Sequence, residues 1–221
     1  MKIIDKIIVK KTIIKNKLFW KNRQKKILDK NFSIISNNCW GGSVYRHYNL
    51  PYLSPTIGLY LFPEDYLKFI NNLHQYISDD LMIISPQESL HFNELKKKGQ
   101  TDVPIGRIDD IEIVFLHYKS PEEALYKWNE RKQRINFENL IFKFSEMNGA
   151  TRLELEKFAM FPATKKVMFI SDHTAQSLDS AVLYKKYEGA PEIVNDTVYY
   201  DKYVDLNDLI NHNIQIEGGT N

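Results

Sequence analysis

Short runs of β-branched and aromatic residues alternate with segments that carry helix-start signals, and this alternation limits the fold more than any other feature. The runs fall at residues 32–35, 57–62, 81–84, 111–117, 140–144 and 167–170, with a weaker one at 193–198. They are nearly continuous in apolar character, as strands covered on both faces are. Between them, "PEDYLKFINNLHQYI" puts Tyr66, Ile70, Leu73 and Ile77 on one helical face, with Pro63 and two acids in the first turn. In "SPEEALYKWNERKQR", Ser120 caps, Pro121 fits the first helical position and Glu123 completes a capping box. "TRLELEKF" repeats the box with Thr151 and Glu154, and a last helix starts near Asp205. Strand–helix repetition predicts βαβ units, a mostly parallel sheet and right-handed crossovers that place helices on both faces. The expected fold is α/β: one three-layer α/β/α domain over 31–221, preceded by a leader at 1–30.

The leader differs from the rest in charge. Residues 1–30 hold eleven Lys/Arg and two Asp, a surplus of nine, whereas the whole chain carries +2, so the remainder is −7. Apolar pairs at Ile3/Ile4, Ile7/Ile8, Ile13/Ile14 and Leu18/Phe19 predict a basic amphipathic helix. Such a helix packs on the domain through its isoleucines, or lies on an anionic membrane surface, where each Lys or Arg contributes about 1 kcal/mol. Nucleic acid is the weakest of the partners, because the body is acidic and holds no binding signature.

One cysteine among 221 residues excludes an internal disulfide and a Cys-rich zinc site, and makes a reducing, cytoplasmic location the default expectation. No apolar stretch approaches the roughly 20 residues needed to span a bilayer, and lysines interrupt any signal-peptide core. The six histidines show no H-x-x-x-H spacing, so no metal site is expected. Phosphate-loop, dinucleotide and nucleophile-elbow motifs are absent, and the acidic pairs at 79–80 and 109–110 read as solvated turns.

In wound parallel sheets, ligands bind beyond the carboxyl ends of the strands. The first such end reads "NNCWGG": Asn37, Asn38, Cys39, Trp40, Gly41 and Gly42. Paired glycines permit a sharp turn and close approach to a ligand, and a helix start favours an anion or a thiolate there. Cys39 is therefore a candidate nucleophile, with His173 as base and Asp172 orienting it, for acyl transfer. His47, His117 and Glu146 are candidates to line the pocket. Each has a plainer alternative: a lone cysteine is usually a small buried hydrophobe, and Trp40 serves equally as a sugar platform or a loop anchor. Arg131 and Arg134 bind phosphate or carboxylate, or simply face water.

Three stretches together, "FSIISNNCWGGSVYRHYNLPYLSPTIGLYLFPEDYLKFI", "PIGRIDDIEIVFLHYKSPEEALYKWNERKQRINFENLIFKFSEMNG" and "KKVMFISDH", resemble the bacterial family of domains of unknown function designated DUF1919. The resemblance implies a three-layer α/β fold and a place in exopolysaccharide or capsule biosynthesis at the inner membrane face. Where relatives carry an aspartate-containing turn followed by Gly-Cys-Thr, this chain has "SEMNGAT", with Glu146, Asn148, Gly149 and Thr151 in the corresponding places. The missing aspartates and second cysteine argue against metal or thiol chemistry at that turn. The expected activity is transfer of an acyl or glycosyl group to or from a saccharide or lipid-linked saccharide. The alternative is a non-catalytic saccharide-binding or scaffold module. The sequence names no donor, acceptor or cofactor.

Overall fold

The computed structural model describes residues 3–212, with side chains from residue 7 onward. Residues 1–2 of the expected leader, the side chains of Ile3 and Ile4, and residues 213–221 lie outside that description. In chain order the elements begin with α1 (Ile3–Gln24), β1 (Ser33–Ser36), α2 (Trp40–Tyr48), α3 (Pro63–Asn71), α4 (Leu73–Ser78) and β2 (Met82–Ile84). They continue with α5 (Phe92–Lys97), β3 (Ile105–Ile108), β4 (Ile111–Val114) and α6 (Pro121–Lys132). Last come β5 (Leu140–Ser145), α7 (Arg152–Met160), β6 (Lys166–Ile170), β7 (Ala181–Leu183) and α8 (Leu206–Asn211).

The main sheet is parallel, in the order β1-β5-β6-β7, with Ile35 opposite Phe142 and Phe144 opposite Met168. Strand side chains alternate between its faces. Ile34, Ile141, Val167 and Phe169 pack with Trp40, Val44, Tyr45 and Tyr48 of α2 and with Leu206 and Ile210 of α8. Ile35, Phe144, Met168 and Ile170 pack with Tyr66, Phe69 and Ile70 of α3 and with Leu155 and Phe158 of α7. Helices cover both faces, which is the expected three-layer α/β architecture. The Thr151–Glu154 box closes as expected, whereas at Ser120 only half the box forms, because Glu123 reaches back to the Lys119 amide at 2.8 Å instead of the Ser120 amide. Ser120 accepts from the Glu123 amide, Glu154 accepts from the Thr151 amide at 2.8 Å, and Asp205 accepts from the amides of Asn207 and Asp208.

Several expected strands behave differently. The 81–84 and 111–117 runs do not join the parallel sheet. With β3 between them they form a separate antiparallel sheet, β2-β3-β4. The cause is local: Ile108 pairs with Ile111 across only Asp109 and Asp110, and so short a link permits only a hairpin. Asp109 takes the left-handed conformation (φ 51°) that such a turn needs. The 57–62 run makes one isolated bridge, Tyr60 to Val114, and the 193–198 run forms no strand. Helix 63–77 is broken at Asn72 into α3 and α4. Strand β3 carries no continuous apolar run, because Gly106 and Arg107 interrupt it. A Cβ at Gly106 would stand 2.8 Å from the buried side chains of Leu81 and Phe115, so glycine leaves room for these two beside the small sheet.

The leader is a helix, and the hydrogen bonds that tie it to α2 come from polar side chains near its C-terminal end. Its inner face is held by polar bonds: Arg23 to the His47 carbonyl at 2.9 Å, and Gln24 to the Tyr48 carbonyl at 2.7 Å. Ile7, Ile13, Ile14, Leu18 and Phe19 are all about half exposed or more.

Candidate functional site

The parallel sheet ends in side chains that lock its tips together. Asn37 extends β1 by one step, its amide donating to the Ser145 carbonyl and accepting from the Ser145 N–H, both at 3.0 Å. Glu146, just past β5, accepts from the Ser171 amide at 2.6 Å, the Ser171 hydroxyl at 3.0 Å and the Asp172 amide at 3.2 Å. Its carboxylate thus ties the end of β5 to that of β6 and lines neither cleft described below.

Beneath the first tip lies a charged network that local motifs do not reveal. Alternation along β5 places Ile141, Lys143 and Ser145 on the α2 side of the sheet. Lys143 is wholly buried, yet its ammonium donates to Asn38 Oδ1 at 3.0 Å, to Ser145 Oγ at 2.6 Å and to Asp196 Oδ2. Asp196 Oδ2 also accepts from Ser145 Oγ at 2.5 Å and from Asn38 Nδ2 at 2.8 Å. The rings of Trp40 and Phe169 lie over the ammonium at 5.8 and 5.3 Å. Burial holds the Lys143 pKa below the ordinary lysine value, while the Asp196 charge pulls it back up. All three ammonium protons have acceptors, the condition under which a buried pair survives desolvation. Asp196 arrives on the 193–198 segment, which crosses the strand tips as a loop, its register fixed by the Ile193 amide bonding to the Glu146 carbonyl at 2.7 Å. One signal was available: a lysine inside the apolar run "LIFKFS".

The network borders the first of two adjoining clefts through Asn38 and Asp196. The first, of about 590 Å³, is rich in amide and phenol groups: Asn38, Tyr60, Gln100, Asn148, Tyr187 and Asn195, with Asp196 in its wall. The second, of about 450 Å³, holds Gly42, Arg46, Tyr52, Tyr118, Lys127 and Arg131. Cys39, His117 and Thr197 belong to both. His117 comes from the segment after β4, so the small antiparallel sheet contributes a wall to a site at the tips of the parallel one.

The six residues of the glycine turn therefore separate by role. Asn38 and Cys39 face the cleft, and Gly42 floors the basic one. Trp40 is fully buried, edge-on to Phe169 and Tyr200, so it anchors the core instead of offering a sugar platform. Gly41 lets α2 lie close on β1: a Cβ there would stand 3.2 Å from Ile34. The Cys39 thiol is directed to the Leu59 carbonyl at 3.6 Å. Burial, aided by the Asp196 charge, pushes its pKa up to about 12, the reverse of the lowering expected from a helix start. His173 and Asp172 lie outside both clefts. His173 is exposed, and Asp172 caps its own short 3-10 turn, accepting from Thr174 N at 2.8 Å and Thr174 Oγ1 at 2.5 Å. His47 is elsewhere again, buried between α2 and the leader beside Tyr48 and Tyr200. Burial, reinforced by Arg23, brings its pKa down to about 4, so it is neutral near pH 7. Among the described residues, no group of three or more His, Cys, Asp or Glu is placed to hold a metal ion. The acidic pair at 109–110 is the hairpin turn, with Asp110 accepting from Tyr76 at 2.6 Å and paired with Lys68 at 3.0 Å.

A family model described as Domain of unknown function (DUF1919) matches residues 8–214, and the chain belongs to that family. An uncharacterized protein of Haemophilus influenzae is 28% identical over 205 residues, covering 88% of this chain and 93% of the relative.

Proposed function

We propose that this DUF1919 member acts in surface-polysaccharide synthesis, transferring an acyl or glycosyl group to or from a saccharide held in the amide-rich cleft. The observation that supports this is the Lys143–Ser145–Asn38–Asp196 network at the carboxyl ends of the parallel strands, where a cleft of about 590 Å³ meets a fixed carboxylate. Asparagine, glutamine and tyrosine side chains offer paired donors and acceptors that match sugar hydroxyls. In this reading an acceptor hydroxyl gives its proton to Asp196 as its oxygen bonds the transferred group, and the leaving group departs with the electron pair. The Cys39 thiol stays protonated and shapes the wall. His173, outside the clefts, takes no part.

Peripheral attachment to the inner membrane face belongs to the same proposal. Among the described residues no helix is long and apolar enough to cross a membrane. The outer face of α1 exposes Ile7, Ile14 and Leu18 between lysines, a pattern suited to lying on anionic lipid. The exposed position of His173 and the high pKa of Cys39 also favour a second reading, a saccharide-binding module without catalysis.

Polysaccharide production in a deletion strain, complemented at equal protein levels, tests the proposal. Asp196→Asn is expected to abolish production, with Tyr60→Phe reducing it and His173→Ala leaving it intact. Normal output from Asp196→Asn would contradict the catalytic reading. Output that survives Asp196→Asn but falls with Tyr60→Phe would favour the binding module.

A further inference from the structure

The basic cleft holds two arginines fixed in place without a carboxylate partner. Arg131 of α6 lies over the rings of Tyr52 and Tyr118, at 5.4 and 5.9 Å, and donates to Tyr118 Oη at 2.6 Å and to the Ile57 carbonyl at 3.3 Å. Arg46 of α2 donates to Ser43 Oγ at 3.0 Å and Tyr52 Oη at 3.3 Å. Among the described residues neither forms an ion pair, whereas Lys127 in the same cleft is paired with Glu130 at 3.0 Å. The one carboxylate in the wall, Glu123, accepts from the Lys119 amide at 2.8 Å. Planar guanidinium groups held by neutral partners, with N–H groups left for a ligand, match the geometry of a phosphate. A cavity of about 540 Å³ adjoins this cleft, sharing Arg46 and Thr197 with it, and runs beneath the leader. On the α1 side Val9, Ile13 and Trp20 form an apolar strip facing Val198, with Thr12, Asn16 and Lys17 beside it.

Three cavities thus follow one another: amide groups suited to sugar hydroxyls, then paired arginines, then an apolar groove under a helix whose outer face suits a membrane. We infer that the substrate is a saccharide joined through phosphate to a lipid chain, with the phosphate between Arg46 and Arg131 and the first part of the lipid under α1. This inference rests on the saccharide reading above, but its test is separate. Burial of the chain in the groove adds an apolar contribution that a free phosphate lacks.

Isothermal titration of the full chain with farnesyl diphosphate, inorganic pyrophosphate and farnesol separates the parts. Farnesyl diphosphate is expected to bind at least about tenfold more tightly than either of the others. Arg46→Ala and Arg131→Ala each lower affinity for both phosphates by about tenfold or more. Ile13→Glu removes the farnesyl advantage and leaves pyrophosphate binding unchanged. Equal binding of pyrophosphate and farnesyl diphosphate overturns the lipid-linked assignment. Wild-type affinity in the Arg46→Ala variant, which alters an exposed side chain, overturns the phosphate site even if Arg131→Ala unfolds. Failure of these titrations beside loss of polysaccharide in Asp196→Asn would sink the lipid-phosphate substrate alone. Successful titrations beside normal polysaccharide in Asp196→Asn would sink the transferase reading alone.

Discussion

The tips of β5 and β6 both carry charged side chains, yet they are built on different principles. Past β6, "SDH" gathers Asp172 and His173 in adjacent positions, in water, with the aspartate spent on capping its own turn. At β5, Lys143 and Asp196 stand 53 residues apart in sequence and meet in the core. A carboxylate in water is screened and can be satisfied by any neighbour. A carboxylate beside a desolvated ammonium is oriented by three protein donors, and its position is set by the fold. Proximity in sequence therefore marks the less organised of the two clusters.

Breaking the buried cluster should have the largest effect on stability. Lys143→Met leaves Asp196 buried and unpaired, and is expected to cost about 3–5 kcal/mol in denaturant unfolding. The double variant Lys143→Met/Asp196→Leu should recover most of that loss, because it removes both charges. An equal loss in single and double variants would show that packing, not charge, is at stake. Next in size, Glu146→Ala strips the acceptor from the Ser171 and Asp172 amides at the β6 tip, with an expected cost of about 1–3 kcal/mol. That loss would establish Glu146 as the tie between the tips, and its absence would free Glu146 for a role in binding.

A smaller effect, dependent on pH, comes from His47. His47 has its folded pKa near 4, below the ordinary 6.5. Between those values the unfolded chain binds a proton that the folded chain does not, so stability falls as pH drops from 6.5 to 4 and levels off below. His47→Gln should flatten that limb of the stability curve, and an unchanged slope would assign it to other groups. The smallest effect belongs to His173→Ala, expected to remain within about 0.5 kcal/mol of wild type at neutral pH.

The layers, the parallel pairing of the main strands and the helix starts at Ser120, Thr151 and Asp205 were legible because each depends on neighbours within a few residues. Ser120 and Glu123, or Thr151 and Glu154, carry their geometry in their spacing. The split into two sheets was less visible, since 111–117 reads the same in either pairing; only the two-residue link at Asp109 and Asp110 decides it. Asn38, Cys39 and His117 could be placed at strand ends, and they do share a cleft wall. Trp40 was ambiguous because an indole satisfies a core and a sugar equally well. Lys143 and Asp196 escaped because their pairing exists only once β5 and the 193–198 loop are folded together. For the leader, the helix was legible, but apolar spacing alone does not say which face turns inward. Arg23 and Gln24 settle that by bonding to carbonyls at the end of α2.

Which histidine senses the substrate distinguishes the cleft from the β6 turn most directly. In a sample with labelled histidine side chains, lipid-linked saccharide extracted from the polysaccharide-producing strain can be titrated while the ring signals are followed by NMR. The His117 signal should shift with saturation while the His173 signal stays fixed. A shift of His173 with His117 unmoved would place the site at the β6 turn and contradict the cleft.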